Sequence, residues 1–224
     1  MQKILLLIML FITASIIYSQ KPCPGIPTII YAGKTYNTVQ VGTQCWLKEN
    51  INVGKRIDVS SEQTNNSKIE KYCYNDDPNN CATYGGLYQW AEAVQYQNGA
   101  TNSTLSNPAF TGNVKGICPT GWHIPSLKEF QTLGTAVNNN GNSLISLRQG
   151  NGTNTSGFSA LLAGGRDINC SFSYLGSITY FWSSMEGDAG IAFGVGLNGS
   201  SRSVTLDGGY NRGYGFSVRC LKDN

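Results

Sequence analysis

Apolar and polar residues alternate in the first and last thirds of the chain, and this period of two predicts β-strands. The stretch 28–41 alternates β-branched or aromatic residues with polar ones, and Ala32-Gly33-Lys34 interrupts it. We expect two strands joined by a turn there. In the stretch 191–206, apolar residues alternate with small ones on either side of Asn198-Gly199. This pattern predicts a hairpin with a tight turn at Asn198-Gly199.

The last strand is predicted from the same alternation in Tyr214, Phe216, Val218 and Cys220. Two polar stretches, 53–71 and 97–116, lack such a period and are expected to be surface loops.

Two helices are predicted between these strands. Leu87, Trp90, Ala91 and Val94 fall at i, i+3, i+4 and i+7, which indicates a helix over about 84–96.

The second helix has the clearest local signal, because Ser126 precedes Glu129 by three residues, as in a capping box. Phe130, Leu133 and Val137 would form its buried stripe, and the stretch 138–141, Asn-Asn-Asn-Gly, would end it.

These elements predict an α+β protein of one domain. The two helices lie in the first part of the chain and mainly antiparallel strands follow them, and neither a repeat nor an internal linker divides residues 20–224. Charged residues make up only 13% of the chain, so it is not a charge-rich disordered protein. The formal net charge is +3 and the basic residues are scattered, which excludes an electrostatic footprint for nucleic acid.

Residues 1–19 have the parts of a secretory signal peptide. Lys3 precedes an apolar run over 4–17, and the small residue Ser19 follows. The run is shorter than the roughly 20 residues of a membrane span, although an N-terminal anchor that stays attached is the alternative. No second apolar run exists, so we expect a secreted or cell-surface protein without a transmembrane segment after signal removal.

Export would make the seven cysteines candidates for disulfides, with at least one left over. Cys73 and Cys81 flank a turn-rich segment that a local disulfide would clamp. Zinc is not expected, because the chain has no Cys-x-x-Cys pair and one histidine.

Several spaced motifs, from residue 28 to residue 223, give the chain a family resemblance. The segments that carry it are, in chain order, Gln44-Cys45-Trp46-Leu47-Lys48-Glu49-Asn50, Cys73 followed by Cys81-Ala82-Thr83-Tyr84-Gly85-Gly86-Leu87-Tyr88-Gln89-Trp90, Ile117-Cys118-Pro119-Thr120-Gly121-Trp122-His123-Ile124-Pro125-Ser126, Gly157-Phe158-Ser159-Ala160-Leu161, Ala163-Gly164-Gly165-Arg166, Phe181-Trp182-Ser183-Ser184 and Gly215-Phe216-Ser217-Val218-Arg219-Cys220. With these segments the chain resembles the Fibrobacter succinogenes major paralogous domain.

This resemblance implies a C-type-lectin-like fold, shared with the formylglycine-generating enzymes, in which two helices pack on twisted antiparallel sheets. It suggests a disulfide between Cys118 and Cys220, and Cys23 with Cys45 is the further pairing, which leaves Cys170 free. The resemblance also implies a bacterial extracellular or cell-surface module. The calcium-dependent sugar motifs of true C-type lectins, Glu-Pro-Asn, Gln-Pro-Asp and Trp-Asn-Asp, are absent.

Catalytic candidates are few. Any mechanism that needs an imidazole must use His123. This residue precedes the capped helix, and we expect it to have the structural role of fixing how the chain enters that helix. Glu186 and Asp188 are a carboxylate pair of glycosidase type, but we expect two solvated acids in a loop. We therefore do not expect an enzyme.

A calcium site is the candidate metal site. Asp76, Asp77 and Asn79 place hard oxygen ligands between Cys73 and Cys81, which suits calcium. Their spacing does not match the twelve-residue calcium loop, and Asp-Asp-Pro-Asn is also ordinary turn chemistry. We expect a turn, and calcium is the alternative; no other cofactor is implied.

Binding residues are expected in the glycine-rich final third of the chain. The tyrosines and arginines there are candidate ligand contacts, whereas at least three of the four tryptophans are expected in the core. The candidates are Tyr174, Tyr180, Tyr210, Tyr214, Arg166, Arg202 and Arg212.

The function expected from all this is a binding or adhesion module that recognises a glycan or cell-surface polymer through its loops. The alternative is a structural or protein-interaction component of the cell envelope without a small ligand.

Overall fold

The computed structural model describes residues 20–224, so the predicted signal peptide over 1–19 lies outside the described residues. The described part is a mixed α/β structure dominated by sheets. Its strands are β1 (Thr28–Tyr31), β2 (Lys34–Val41), β3 (Gln44–Leu47), β4 (Lys55–Arg56), β5 (Glu70–Lys71), β6 (Trp122–His123), β7 (Ala163–Arg166), β8 (Phe172–Leu175), β9 (Ile178–Glu186), β10 (Ile191–Asn198), β11 (Val204–Asn211) and β12 (Leu221–Lys222). Its α-helices are α1 (Pro78–Tyr84), α2 (Trp90–Ala93) and α3 (Leu127–Ala136).

The first sheet has the order β1-β2-β3-β12-β6, and all its pairs are antiparallel. The predicted turn at 32–34 joins β1 to β2, which confirms the two strands expected over 28–41. β12 comes from the end of the chain and lies between β3 and β6, with Leu221 opposite both Trp46 and His123.

The second sheet has the order β11-β10-β9-β7-β8. It is antiparallel except between β7 and β9, which meet in parallel at Gly164 and Thr179. The strands predicted over 191–206 are confirmed, but the tight turn is wrong. The Gly199 N–H donates to the Ser177 carbonyl at 2.8 Å, and the chain reaches β11 only at Val204.

The helix predicted over 84–96 is also wrong. Helix α1 ends at Tyr84, and Gly85 has a φ of +88°. A Cβ at Gly85 would lie 2.6 Å from the Cβ of Asn50, so the chain passes too close to another segment for a continued helix. Residues 87 and 88 form bridges to Tyr72 and Phe216 instead, and only Trp90–Ala93 is helical.

Helix α3 matches its prediction. Ser126 caps it, and both hydrogen bonds of the capping box with Glu129 are present. The chain turns away after Ala136, because Asn138 and Asn139 adopt left-handed φ values of +54° and +53°. Phe130, Leu133 and Val137 are buried, as expected.

The core has two clusters on opposite sides of the second sheet. One contains the buried side of α3 together with Phe181, Val195 and Leu197. The other contains Trp182 and Phe216. All four tryptophans are buried, so their rings belong to the interior, as expected.

The predicted last strand, residues 214–220, is mostly irregular. Its residues bridge three separate segments: Gly215 pairs with Arg166, Phe216 with Tyr88, and Ser217 with Phe181. Each partner belongs to a different part of the chain, so residues 214–220 pair with three segments in turn and do not form a regular strand with any of them.

Both predicted loops contain some ordered structure. β4 and β5 pair in parallel within 53–71, where Gln63 is also buried. The stretch 97–116 begins with a short 3-10 helix at Gln97–Gly99.

Three disulfides cross-link the chain: Cys23–Cys45, Cys73–Cys81 and Cys118–Cys220. These are the pairings expected above, and Cys170 is free. The last bridge spans 102 residues and ties the segment before α3 to the residue before β12. Within residues 20–224, no helix is long and apolar enough to cross a membrane.

Candidate functional site

Four tyrosines lie close together on the second sheet, and we call them the tyrosine surface: Tyr174, Tyr180, Tyr210 and Tyr214. Tyr174 is on β8, Tyr180 is on β9 and Tyr210 is on β11. The ring centroids of Tyr174 and Tyr180 are 6.5 Å apart, and those of Tyr180 and Tyr210 are 5.5 Å apart, both edge to face. Tyr174 is 54% exposed and the other three are partly buried, so the surface faces solvent.

The buried ring of Phe216 supports this surface from below. It stacks on Tyr180 at 4.7 Å and on Tyr214 at 5.5 Å, and it meets Tyr210 edge to face at 5.1 Å. Trp182 packs against the same ring at 4.5 Å. Contacts of this kind fix the ring orientations, so the surface is preorganised.

Two glycines of β10 leave room for the tyrosine rings. A Cβ at Gly194 would lie 3.0 Å from the Phe181 carbonyl oxygen and 3.3 Å from the Tyr210 ring. A Cβ at Gly196 would lie 3.6 Å from the Tyr180 ring, so any side chain longer than alanine would displace it. The small residues of β10 therefore leave space above the strand for the rings of Tyr180 and Tyr210.

The Tyr180 hydroxyl remains a neutral hydrogen-bonding group. Burial first, and then the nearby groups Tyr210, Tyr174 and Asp167, together raise the pKa of Tyr180 to about 12. The surface thus offers aromatic faces, phenol hydroxyls and one neighbouring carboxylate. Such groups bind a ligand that has both apolar and hydroxyl-bearing faces.

Arg166 lies outside this surface. Its guanidinium is fully buried, 4.5 Å from the Tyr72 ring, and donates to Glu62 at 3.0 Å and to the Val59 carbonyl at 2.8 Å. It also donates to the free Cys170 thiol at 3.2 Å.

Arg212 is buried in the same manner, 4.2 Å from the Trp90 ring, and donates to Glu186 at 3.1 Å. These contacts give Arg166 and Arg212 structural roles, whereas Arg202 is exposed.

The two carboxylates of the glycosidase pattern have different environments. Glu186 accepts from Arg212 and from both the N–H and the hydroxyl of Ser106. Asp188 is exposed. Glu186 thus anchors the loop that carries Ser106.

The candidate calcium ligands serve local structure. Asp77 caps α1 by accepting from the Asn79 N–H at 2.8 Å, and Asp76 pairs with Arg56 at 3.4 Å. No group of three or more His, Cys, Asp or Glu side chains in the described chain is placed to hold a metal ion. The geometry favours the turn that the sequence also suggested.

His123 is buried between two carboxylates. Its Nδ1 lies 2.6 Å from Asp223, and its Nε2 lies 3.1 Å from Glu129. Burial opposes protonation of the ring, but the hydrogen bonds with Glu129 and Asp223 outweigh it and raise the pKa of His123. Both ring nitrogens are engaged, and the nearby Ser126 hydroxyl donates to Glu129, so no nucleophile and base are paired here.

The structure therefore gathers the predicted tyrosines and separates them from the predicted arginines. The sequence analysis missed Phe216 as the supporting ring and Gly194 and Gly196 as the strand beneath the tyrosines. The only sequence signal was the placement of glycine at alternate positions of β10, opposite the apolar positions that face α3.

Comparison with known proteins gives one family. The family model of the Fibrobacter succinogenes major domain matches residues 39–222. No curated protein and no solved structure matches this chain.

Proposed function

Since the chain belongs to the Fibrobacter succinogenes major domain family, we propose that it is a secreted or cell-surface binding module that recognises a glycan through the tyrosine surface. The observation that carries the proposal is the set of four partly exposed tyrosine rings, three of which rest on the buried Phe216 while Tyr174 packs on Tyr180. Neither an enzymatic activity nor a cofactor is part of it.

Export is supported by two independent features. The apolar run over 4–17 with Lys3 before it is typical of a secretory signal. Six of the seven cysteines form disulfides, which persist in oxidising compartments. A protein stabilised in this way functions outside the cytosol.

A C-type-lectin-like arrangement is part of the proposal. In its favour, the strand β12 from the end of the chain pairs with β3 from its beginning, and the Cys118–Cys220 disulfide lies beside this pairing. The second sheet and its long connections then form the side of the molecule that carries the tyrosine surface.

Glycan binding follows from the chemistry of the tyrosine surface. The C–H faces of a pyranose pack on aromatic rings, and its hydroxyls bond with phenol hydroxyls and with a carboxylate such as Asp167. Because Phe216 already fixes the rings, little side-chain entropy is lost on binding. An extended polymer with repeated weak contacts suits a surface of this shape.

A glycan array with residues 20–224, oxidised, tests the proposal, and the glycan that binds is then titrated against variants. We expect Tyr174→Ala and Tyr180→Ala each to weaken binding by about 3- to 10-fold, since an aromatic contact contributes about 0.5–1.5 kcal/mol. Tyr84→Ala is the matched control, because Tyr84 is a partly buried tyrosine outside the surface; its affinity should equal that of the unmodified protein.

Failure of all glycans to bind would contradict the proposal and favour the structural or protein-interaction role. Binding that survives both tyrosine substitutions would show that the sugar contacts a different surface.

A further inference from the structure

A polar cavity of about 270 Å³ lies apart from the tyrosine surface and shares no lining residue with it. Its charged lining consists of Lys34, Lys48, Glu49 and Arg219. Ser146 and Ser159 line it as well. A cavity of this size accommodates a ligand about as large as one sugar ring.

Arg219 is the buried end of this cavity. It is 1% exposed, and its guanidinium lies 4.5 Å from the Phe158 ring. Its Nε and Nη2 donate to the Asn50 Oδ1 at 3.1 and 2.7 Å, and its Nη1 donates to the carbonyls of Leu47 and Phe158. A guanidinium has five N–H donors and these contacts use four of them, so one N–H of Nη2 has no acceptor among the side chains and backbone that the structure describes.

The counter-charge of Arg219 is missing from the described chain. Arg166 has Glu62 at 3.0 Å and Arg212 has Glu186 at 3.1 Å, but no carboxylate whose side chain the structure describes forms an ion pair with Arg219. Burial lowers the pKa of Arg219 to about 9, and the more distant Glu49 opposes this effect. Arg219 therefore remains a cation at neutral pH and lacks the partner that a buried charge normally has.

Two further cations line the same cavity. Lys34 and Lys48 are partly buried, and neither forms an ion pair within the described part of the chain. Glu49 is the one acidic lining residue, and its two oxygens accept from the backbone and side-chain N–H groups of Asn37, both at 2.8 Å. The cavity thus keeps a surplus of positive charge.

We propose that this cavity binds a small organic carboxylate of sugar-acid size, with the carboxylate facing Arg219, Lys34 and Lys48. The carboxylate accepts from the spare N–H of Arg219 and provides its missing counter-charge, while the Ser146 hydroxyl bonds with a ligand hydroxyl. The Ser159 hydroxyl already donates to the Gly157 carbonyl and accepts from Asn154, so it can only accept from the ligand. The proposal goes beyond the tyrosine surface and holds even if that surface binds no glycan.

The test is an NMR titration of the oxidised chain 20–224 with sodium D-glucuronate, with D-glucose as the neutral ligand of the same ring. We expect glucuronate to shift the amide signals of cavity residues, with saturation below about 50 mM, and glucose to leave them unchanged. Arg219 itself is not substituted, because its loss would disturb the core.

The variants change the charge at the rim of the cavity. The double variant Lys34→Gln/Lys48→Gln should weaken glucuronate binding at least about 5-fold, and Glu49→Gln should strengthen it about 2- to 5-fold, because one removes attraction and the other removes repulsion. Lys55→Gln changes an exposed lysine on β4, outside the cavity, and should have no effect.

Three results would overturn the proposal. These are equal shifts with glucose and glucuronate, no binding of glucuronate, and unchanged affinity in the double lysine variant. Loss of tyrosine-dependent glycan binding with retained glucuronate binding would contradict the proposed function and leave this inference standing.

Discussion

Two regions of the molecule bury arginine side chains against aromatic rings, and they differ in what balances the charge. Around Arg166 and Arg212, each guanidinium stacks on a ring and has its own carboxylate, Glu62 or Glu186. Around Arg219, the guanidinium stacks on Phe158 and is held by an amide oxygen and two carbonyls, with no carboxylate in contact within residues 20–224.

The difference shows that three identical side chains are balanced in two ways. In the first region a carboxylate neutralises each charge, and the arginines hold loops against the second sheet. In the second region the dipoles of an amide and two carbonyls solvate the charge. The lack of a described counter-charge is what distinguishes Arg219 from the other two arginines.

Removal of Arg219 is expected to have the largest effect. Arg219→Met should lower the free energy of unfolding by about 3–5 kcal/mol, because the buried oxygens of Asn50, Leu47 and Phe158 would lose their donors. Urea denaturation under oxidising conditions measures it, and Arg202→Met, at an exposed arginine, should change the free energy by less than about 0.5 kcal/mol. A loss below about 1 kcal/mol for Arg219→Met would mean that the hydrogen bonds from Arg219 to the oxygens of the second region contribute little to the free energy of unfolding.

Neutralisation of Glu186 and of Glu62, one at a time, should show that the first region contains one strong and one weak ion pair. Glu186 is 14% exposed and Glu62 is 58% exposed at the side chain. We therefore expect Glu186→Gln to cost about 2 kcal/mol of unfolding free energy and Glu62→Gln less than about 1 kcal/mol, because solvent screens the second pair. Equal costs for the two substitutions would show that exposure does not set the strength of these pairs.

The pH dependence of stability should give the smallest effect and extend the comparison to His123, a buried cation with two carboxylates. The raised pKa of His123 adds to the stability of the fold. This contribution is complete at a pH below 6.5, the ordinary pKa of histidine, and it is lost as the pH rises through the folded-state pKa.

Glu129 makes the opposite contribution. Burial opposes ionisation of Glu129, but the hydrogen bonds from His123 and Ser126 outweigh it and lower the pKa of Glu129. That contribution is present above 4.5 and is lost as the pH falls through the folded-state pKa, so stability should peak between these two values.

The measurement is urea denaturation at about pH 5.5 and about pH 8.5, where we expect a decrease on the order of 1 kcal/mol, the difference between a charged and a neutral hydrogen bond. His123→Gln removes the single histidine of the chain and should abolish most of this decrease. A decrease of the same size in His123→Gln would assign the pH dependence to other groups.

The parts of the fold that the sequence could predict depend on local chemistry. The capping box of Ser126 and Glu129 forms as expected, because its two hydrogen bonds involve residues three positions apart. The strands of the β10–β11 hairpin also follow from their own alternation.

The parts that failed depend on contacts between distant residues. The helical spacing of Leu87, Trp90 and Val94 gave a wrong helix, because the close approach of Gly85 to Asn50 requires an open chain there. Arg166 was expected at the surface, yet its partners Glu62 and Val59 are more than a hundred residues away. Nothing in the sequence near Arg166 indicates them.

The position of β12 inside the first sheet also sets an order of assembly. Because β12 lies between β3 and β6, the strands that begin near residue 28 remain unjoined to β6 until residues 221 and 222 have been synthesised. Until then, the edge of β3 that pairs with β12 remains open to pairing with other chains. The first sheet is therefore complete only once residues 221 and 222 have joined it.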